Sequence, residues 1–279
     1  MEQPSSTTTT VNVCDNRKHL KPMFRWAGGK RQEIKKFQHW FPSEYKTYVE
    51  PFIGAGAVYF HLNHDGANVI ADVDDRLINF FELIKQGKGS EIKALVDAMP
   101  NTKEDYLKIR DGYEPETDVE KAAKFFYLRQ TCFRSIDYWD KNGRWRTPWN
   151  TSPRAKVSNT ATMVCEDRYR LFQRTTVLKG SFEDTIRRYD SPDTFMFLDP
   201  PYDTKDYYGS RSFGVEQHRK LRASLENCSC KWLMIVHDTP LMRDLYGDKI
   251  RESYSKTYNM KKVKTAPQVT HLLITNYTL

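Results

Sequence analysis

The chain runs to 279 residues, 39% hydrophobic and 13% aromatic, which is enough to bury a core and too much for a disordered polymer. Its formal charge of +8 implies polyanionic company, with nucleic acid and an anionic membrane as the candidates. No apolar run approaches the ~20 residues that cross a bilayer, and the polar start, MEQPSSTTTTVNVCDN, lacks the apolar segment of a secretory signal.

Residues 1–20 read as a flexible tail. FRWAGGK (24–30) is a Gly turn that opens a helix over 33–41, where Ile34, Phe37, Trp40 and Phe41 recur at helical spacing. The turn looks like the tail of a phosphate-binding loop, without its upstream glycine and without Ser or Thr after Lys30. Trp26 offers a flat face to a cation such as a sulfonium, with core packing as the plain alternative. Tyr48-Val49 ends a short strand, Gly54 and Gly56 form a turn, and an apolar helix begins near Ala57. Val69-Ile70-Ala71 is a second strand ending at Asp72, and Leu77, Phe80, Phe81 and Ile84 continue as a helix. Strand, turn, helix, strand and acid open a βαβ unit of the nucleotide-binding type. Position 59 is Tyr, so the full Gly-x-Gly-x-x-Gly fingerprint is missing, which argues against a dinucleotide. Asp72 can accept from both hydroxyls of a ribose.

Residues 85–130 read as helical, and around 133–149 the residues alternate about Asn142-Gly143, the strongest short hairpin signal. Residues 121–156 hold nine basic side chains and two acids, Asp137 and Asp140, for a local charge of +7, interleaved with Phe, Tyr and Trp. Basic groups pair with phosphates, Arg reads base edges, and aromatic rings wedge or stack. A solvated basic face over a small aromatic core is the alternative. Strands return at TTVLKGSF, TFMFLDPPY, CKWLMIVHD and HLLITNYTL, with the helix VEQHRKLRASLENC between two of them. The five cysteines are odd in number, and the pair Cys228-x-Cys230 has no His or second Cys pair at zinc spacing. The expectation is a reduced intracellular protein without a metal.

One strand ends in Asp199, Pro200, Pro201 and Tyr202. The prolines carry no N–H, and each keeps the residue before it extended. The turn is therefore stiff and presents two acceptors, the Asp199 carboxylate and the Pro200 carbonyl. Together they match the two N–H donors of an exocyclic amine, and Tyr202 supplies a ring for a flat base. Acceptors on both N–H groups also stabilise positive charge as the nitrogen attacks. The residues alone leave the amine open between adenine and cytosine, and the nucleic acid between DNA and RNA. A regulator that binds cofactor and DNA without turnover is the rival from another class.

FRWAGGK, EPFIGAG, IADVDDRLI, GSF and DPPY, in this order, resemble the Dam-like DNA adenine-N6 methyltransferases, the D12 class with the alpha order of motifs, over about residues 22–279. The resemblance implies an α/β fold: a Rossmann-like S-adenosylmethionine-dependent catalytic domain over 21–84 and 169–279, interrupted by a helical plus β-hairpin target-recognition domain over 85–168. It implies S-adenosylmethionine held by Trp26, Gly29, Lys30, Glu50, Phe52, Gly54, Gly56, Asp72, Ser181, Phe182 and Asp199. A flipped-out adenine would sit at Asp199, Pro200, Pro201 and Tyr202. Duplex DNA would be read by Arg134, Ile136, Tyr138, Arg144, Arg146 and Pro148. The hairpin departs from the Asn-Gly-Leu-x-Arg run of the GATC-reading members: Arg134 replaces the Asn and Tyr138 the Arg. Arg favours guanine and Asn favours adenine, so those base contacts do not transfer. His271 stands where many relatives have an acid. The same resemblance implies a monomer or weak dimer working beside DNA inside the cell, off the membrane, with a companion restriction endonuclease as a possible partner.

Overall fold

Apolar, β-branched runs become the centre of the molecule because each can be buried on both faces only in a parallel sheet flanked by helices. The computed structural model describes residues 19–151, 157, 159–201, 213–257 and 268–278. Five strands run parallel: β1 Thr47–Glu50, β2 Ala67–Asp72, β3 Thr175–Lys179, β4 Thr194–Leu198 and β5 Lys231–His237. β6 Ile250–Thr257 and β7 Gln268–Thr275 form an antiparallel pair, and β7 inserts between β5 and β6 to give the order β3-β2-β1-β4-β5-β7-β6. The sequence reading missed β6. Its residues Ile250–Lys256 include no fully buried side chain, so an edge strand bonded on one side leaves no apolar run to see.

All five residues of β4 are buried. Phe195 and Phe197 face one apolar cluster, and Met196 and Leu198 face the other, as the alternation of a strand requires. The first face carries α2 Ala57–Leu62, α3 Asp75–Lys85, α4 Gly89–Ala98, α6 Asp118–Thr131 and α7 Glu166–Gln173. The second carries α8 Phe182–Tyr189, α9 Val215–Leu225 and α10 Pro240–Tyr246. α5 Lys103–Asp111 packs through Tyr106 on a small satellite of Tyr127, Leu128 and Cys132. The helix expected over 33–41 is shorter, α1 Ile34–Phe37 between two 3-10 turns. Phe37 bends the chain there, with its ring stacked 5.7 Å from that of Phe197.

Residues 1–18 of the expected tail lie outside the described residues, and its last two residues do not behave as a tail. Leu20 is buried and its N–H donates to Phe60 O at 2.9 Å, and His19 stacks on His61. The helices after residue 85 share the main core. Ile92, Val96, Ala122, Phe125 and Phe126 join the cluster under α3, and Phe126 stacks on Phe80 at 5.7 Å. The expected hairpin is also different. Its turn forms at Asp140–Gly143, but the flanks meet only at isolated bridges, Trp139 with Trp145 and Cys132 with Trp149. Two local choices explain the lost ladder: Arg134 and Ser135 adopt φ of +54° and +56°, and the Tyr138 N–H donates to the Thr147 hydroxyl at 3.0 Å rather than to a strand.

Candidate active site

The strand order reverses between β1 and β4, and an open α/β sheet binds ligands beyond the carboxyl ends of its strands at such a point. Three neighbouring strands deliver an acid there: β2 ends at Asp72, β1 at Glu50, and β4 runs into Asp199. A cavity of about 470 Å³ opens over them, lined by Trp26, Gly29, Lys30, Glu50, Phe52, Gly54, Gly56, Asp72, Ser181, Phe182, Asp199, Pro200 and Pro201. The structure thus gathers in one cavity every residue that the sequence reading assigned to cofactor. Tyr202 lies outside the described residues.

Two positions need glycine. Gly54 and Gly56 have φ of +45° and +70°, and a Cβ on Gly54 would meet Trp26 Nε1 at 2.9 Å. Gly56 precedes α2 and turns the chain into it. The Gly54 N–H donates to Asp72 Oδ2 at 3.2 Å and the Asp74 N–H to Oδ1 at 3.1 Å, which aim the carboxylate. Burial pushes Asp72 up to about 6, against the pull of those two N–H groups.

Lys30, a cofactor contact or a solvated charge by its sequence context, is buried at 1% exposure and donates to Asp199 Oδ1 at 2.6 Å and to Gly28 O at 3.0 Å. Burial raises Asp199 above the usual carboxylate range, and the Lys30 charge opposes it. Glu50 is pushed up to about 8, first by burial and then by the charge of Asp199, although Tyr48 Oη and the Tyr59 N–H donate to its Oε2 at 2.7 and 3.1 Å. Glu33 goes the other way. Burial alone would raise it, but His271, Lys30 and Lys256 outweigh that and hold it at about 2. His271 Nδ1 lies 2.6 Å from Glu33 Oε2, Tyr254 Oη donates to the same oxygen at 3.1 Å, and Lys256 pairs with Oε1. The buried position 271 thus has a carboxylate beside it in space, on the segment that opens α1.

Phe52 and Phe182 stack at 5.4 Å, and Phe213 meets both at 5.6 Å, forming an apolar wall suited to a flat ring. Ser181 caps α8 by accepting from the Asp184 N–H at 3.1 Å. Phe213, Gln217, Asp74 and Asp137 also line the cavity. The sequence reading missed them: no spacing marks Phe213 or Gln217, and Asp137 reads as part of the basic segment. Trp26 is covered on one face by Arg129, 3.9 Å from the ring centre, so the ring has a cation partner before any ligand arrives.

Beside this cavity a basic trough of about 600 Å³ is lined by Arg76, Arg110, Lys121, Lys124, Arg144 and Arg146 together with Trp139 and Trp145. Arg134, Tyr138, Arg144 and Pro148 are exposed, Ile136 is half-buried, and Arg146 is engaged by Asp111 at 3.0 Å. Far from both, Cys228, Cys230 and Asp190 come within 4.8 Å of one another, a proximity that the cysteine spacing could not show. One Asp190 oxygen is already taken by the Cys230 N–H and the Ser229 hydroxyl. Among the described residues no helix is long and apolar enough to cross a membrane.

The family model of the D12 class N6 adenine-specific DNA methyltransferases matches residues 26–265. The chain is 35% identical over 264 residues to the Type II methyltransferase M.CviBI of Paramecium bursaria Chlorella virus NC1A, covering 92% of this chain and all of that one. It is 27% identical to the Type II methyltransferase M1.LlaDCHI of Lactococcus lactis subsp. cremoris, over 94% of this chain and 97% of the other. It is also 27% identical to a DNA adenine methylase of Vibrio cholerae, over 82% and 86% of the two chains. A family model that spans most of the chain and a relative 35% identical over its whole length agree, and the chain belongs to the D12 class of N6 adenine-specific DNA methyltransferases.

Proposed function

We propose that the chain binds S-adenosylmethionine in the Trp26–Asp72 cavity and methylates N6 of an adenine flipped out of duplex DNA at Asp199. The observation that carries this reading is the Lys30–Asp199 pair at the end of β4, which occupies one carboxylate oxygen at a cavity that Pro200 also lines. The donor set of the cavity suits the cofactor. Asp72 offers two oxygens to a ribose, the Phe52–Phe182–Phe213 wall suits an adenine, and Gly54 and Gly56 allow close approach. When bound, S-adenosylmethionine supplies an electrophilic methyl group on a sulfonium.

The residues of the chain do the rest. Lys30 fixes Asp199 Oδ1, so Oδ2 is left to accept one N–H of the target amine while the Pro200 carbonyl accepts the other. Holding both N–H groups draws lone-pair density back onto the nitrogen and stabilises its developing positive charge. Burial raises the proton affinity of Asp199, which suits it to take the amine proton after methyl transfer. The adenine must leave the stack to reach this turn. Residues 85–168 would serve as the target-recognition domain, with Arg134, Ile136, Tyr138, Arg144, Arg146 and Pro148 toward the DNA. Pairing with a companion endonuclease fits the Type II names of the relatives.

Transfer of tritiated methyl to unmethylated plasmid DNA tests this reading. Asp199→Ala is expected to lose at least ~100-fold in rate, the size of one preorganised transition-state contact. Because truncation strands a buried lysine, Lys30→Met/Asp199→Ala checks by circular dichroism that loss of turnover is not loss of fold. Turnover by folded Asp199→Ala within threefold of the native rate would overturn the assignment.

A further inference from the structure

The segment that carries the DNA-facing side chains also reaches the wall of the cofactor cavity. Asp137 lines the same cavity as Trp26 and Asp72, although it follows the half-buried Ile136 and precedes the exposed Tyr138. Its Oδ2 accepts from Arg129 Nη2 at 2.6 Å and its Oδ1 from Trp145 Nε1 at 2.7 Å. Arg129 is 2% exposed, lies 3.9 Å over the Trp26 ring, and donates from Nη1 to Ser135 O at 3.2 Å. A second tie runs parallel to the first. Trp139 lies 4.7 Å from the Arg76 guanidinium, and Arg76 pairs with Asp74, two residues past the ribose-type acid Asp72.

Two physical points give this arrangement meaning. A buried ion pair is weak evidence for stability, because an apolar pair of similar volume often holds a fold as well; its better-attested use is to specify one arrangement among several. The segment it holds also needs holding. Arg134 and Ser135 sit in left-handed backbone, which is unfavourable for a residue with a Cβ and persists only where surrounding contacts offset its cost. The Arg129 contact to Ser135 O is one such contact.

Building on the cofactor assignment above, we infer that the Arg129–Asp137 pair couples the two sites. A ligand packed on Trp26 braces the indole against Arg129, and Arg129 holds Asp137 and Ser135, and with them the 134–146 segment, in its DNA-reading shape. Such coupling is reciprocal: bound DNA tightens the cofactor site by the same factor. Asp137 and Arg129 are positioning residues in this scheme.

Titration of S-adenosylhomocysteine into the full-length protein, alone and saturated with unmethylated plasmid fragments, reads the coupling as a ratio of two dissociation constants. The native ratio is expected to be about tenfold, within the ~5–150-fold range of coupled sites. In Arg129→Gln/Asp137→Asn, which keeps a hydrogen-bonded pair of similar size without the charges, the ratio is expected to fall toward one. Trp145→Phe keeps the ring and removes one bond to Asp137. It decides the matter if the double variant does not fold, with an expected drop in the ratio of about threefold, the worth of one hydrogen bond. A native ratio of one overturns the coupling, and so does a native-like ratio in the folded double variant or, failing that, in Trp145→Phe. Failure of the native protein to bind S-adenosylhomocysteine at all overturns the cofactor assignment instead.

Discussion

Replacing Gly54 by Ala puts one methyl group where the turn and Trp26 meet. Two costs follow. The backbone at φ +45° is unfavourable for any residue with a Cβ, by about 1–2 kcal/mol. The new Cβ would also lie 2.9 Å from Trp26 Nε1 and 3.0 Å from Cδ1, closer than real contacts allow, so the indole must move. It cannot swing without cost, because Arg129 stacks 3.9 Å from its centre, a contact worth about 1–2 kcal/mol when desolvated. Gly143→Ala separates the terms. Its φ of +71° carries a similar backbone cost, but nothing lies within 4 Å of the added methyl. Thermal unfolding of both variants should therefore show destabilisation of about 1–2 kcal/mol in Gly143→Ala and about 2–4 kcal/mol in Gly54→Ala. Calorimetric titration should show S-adenosylhomocysteine affinity reduced about 10–30-fold in Gly54→Ala alone, since 1.4 kcal/mol is tenfold. Equal destabilisation of the two variants, with cofactor affinity within threefold of native in both, would refute the argument that Trp26 and Gly54 build one wall of the site.

Other outcomes follow from the buried acids and the exposed loop. Asp72 must be ionised to accept from two hydroxyls and is held near 6, so cofactor affinity should be level above pH 7 and weaken as pH falls through 6; a flat profile between pH 5 and 8 would remove Asp72 from the ribose role. Glu50 is protonated in the folded chain up to about 8 but titrates near 4.5 when unfolded, so the folded state alone binds the extra proton between those values. Its contribution to stability should therefore fall by about 1.4 kcal/mol per pH unit across that window, and Glu50→Gln should remove that slope from chemical-denaturation curves measured at several pH values. Arg134 is exposed, with its guanidinium 5.1 Å from the Phe133 ring. Arg134→Ala should change the modified sequence at one position by about 1–3 kcal/mol of discrimination, read by single-molecule sequencing of methylated DNA. A uniform loss of affinity with unchanged sequence preference would mean a phosphate contact instead.

The local chemistry of this chain was legible because each signal is short-range. A Gly turn after Tyr48-Val49, an acid at the end of Val69-Ile70-Ala71 and two prolines after Asp199 each state a backbone geometry within a few residues. Strand order was not legible, since β1 and β4 are 147 positions apart in register yet pair side by side, bringing Glu50 and Asp199 into one cavity. The edge strand β6 and the missing hairpin ladder escaped for related reasons. An exposed edge carries no apolar pattern, and the Thr147 hydroxyl outcompeted a backbone partner for Tyr138.

The charges show the division most clearly. The sequence shows Lys30, Arg129, Asp137 and Glu33 as ionisable groups but not which partners they meet. Only packing could bury Lys30 against Asp199, Glu33 against His271, and Arg129 between Trp26 and Asp137. A charge acquires a fixed partner when burial removes water as the alternative, and burial is a property of elements brought together from distant parts of the chain.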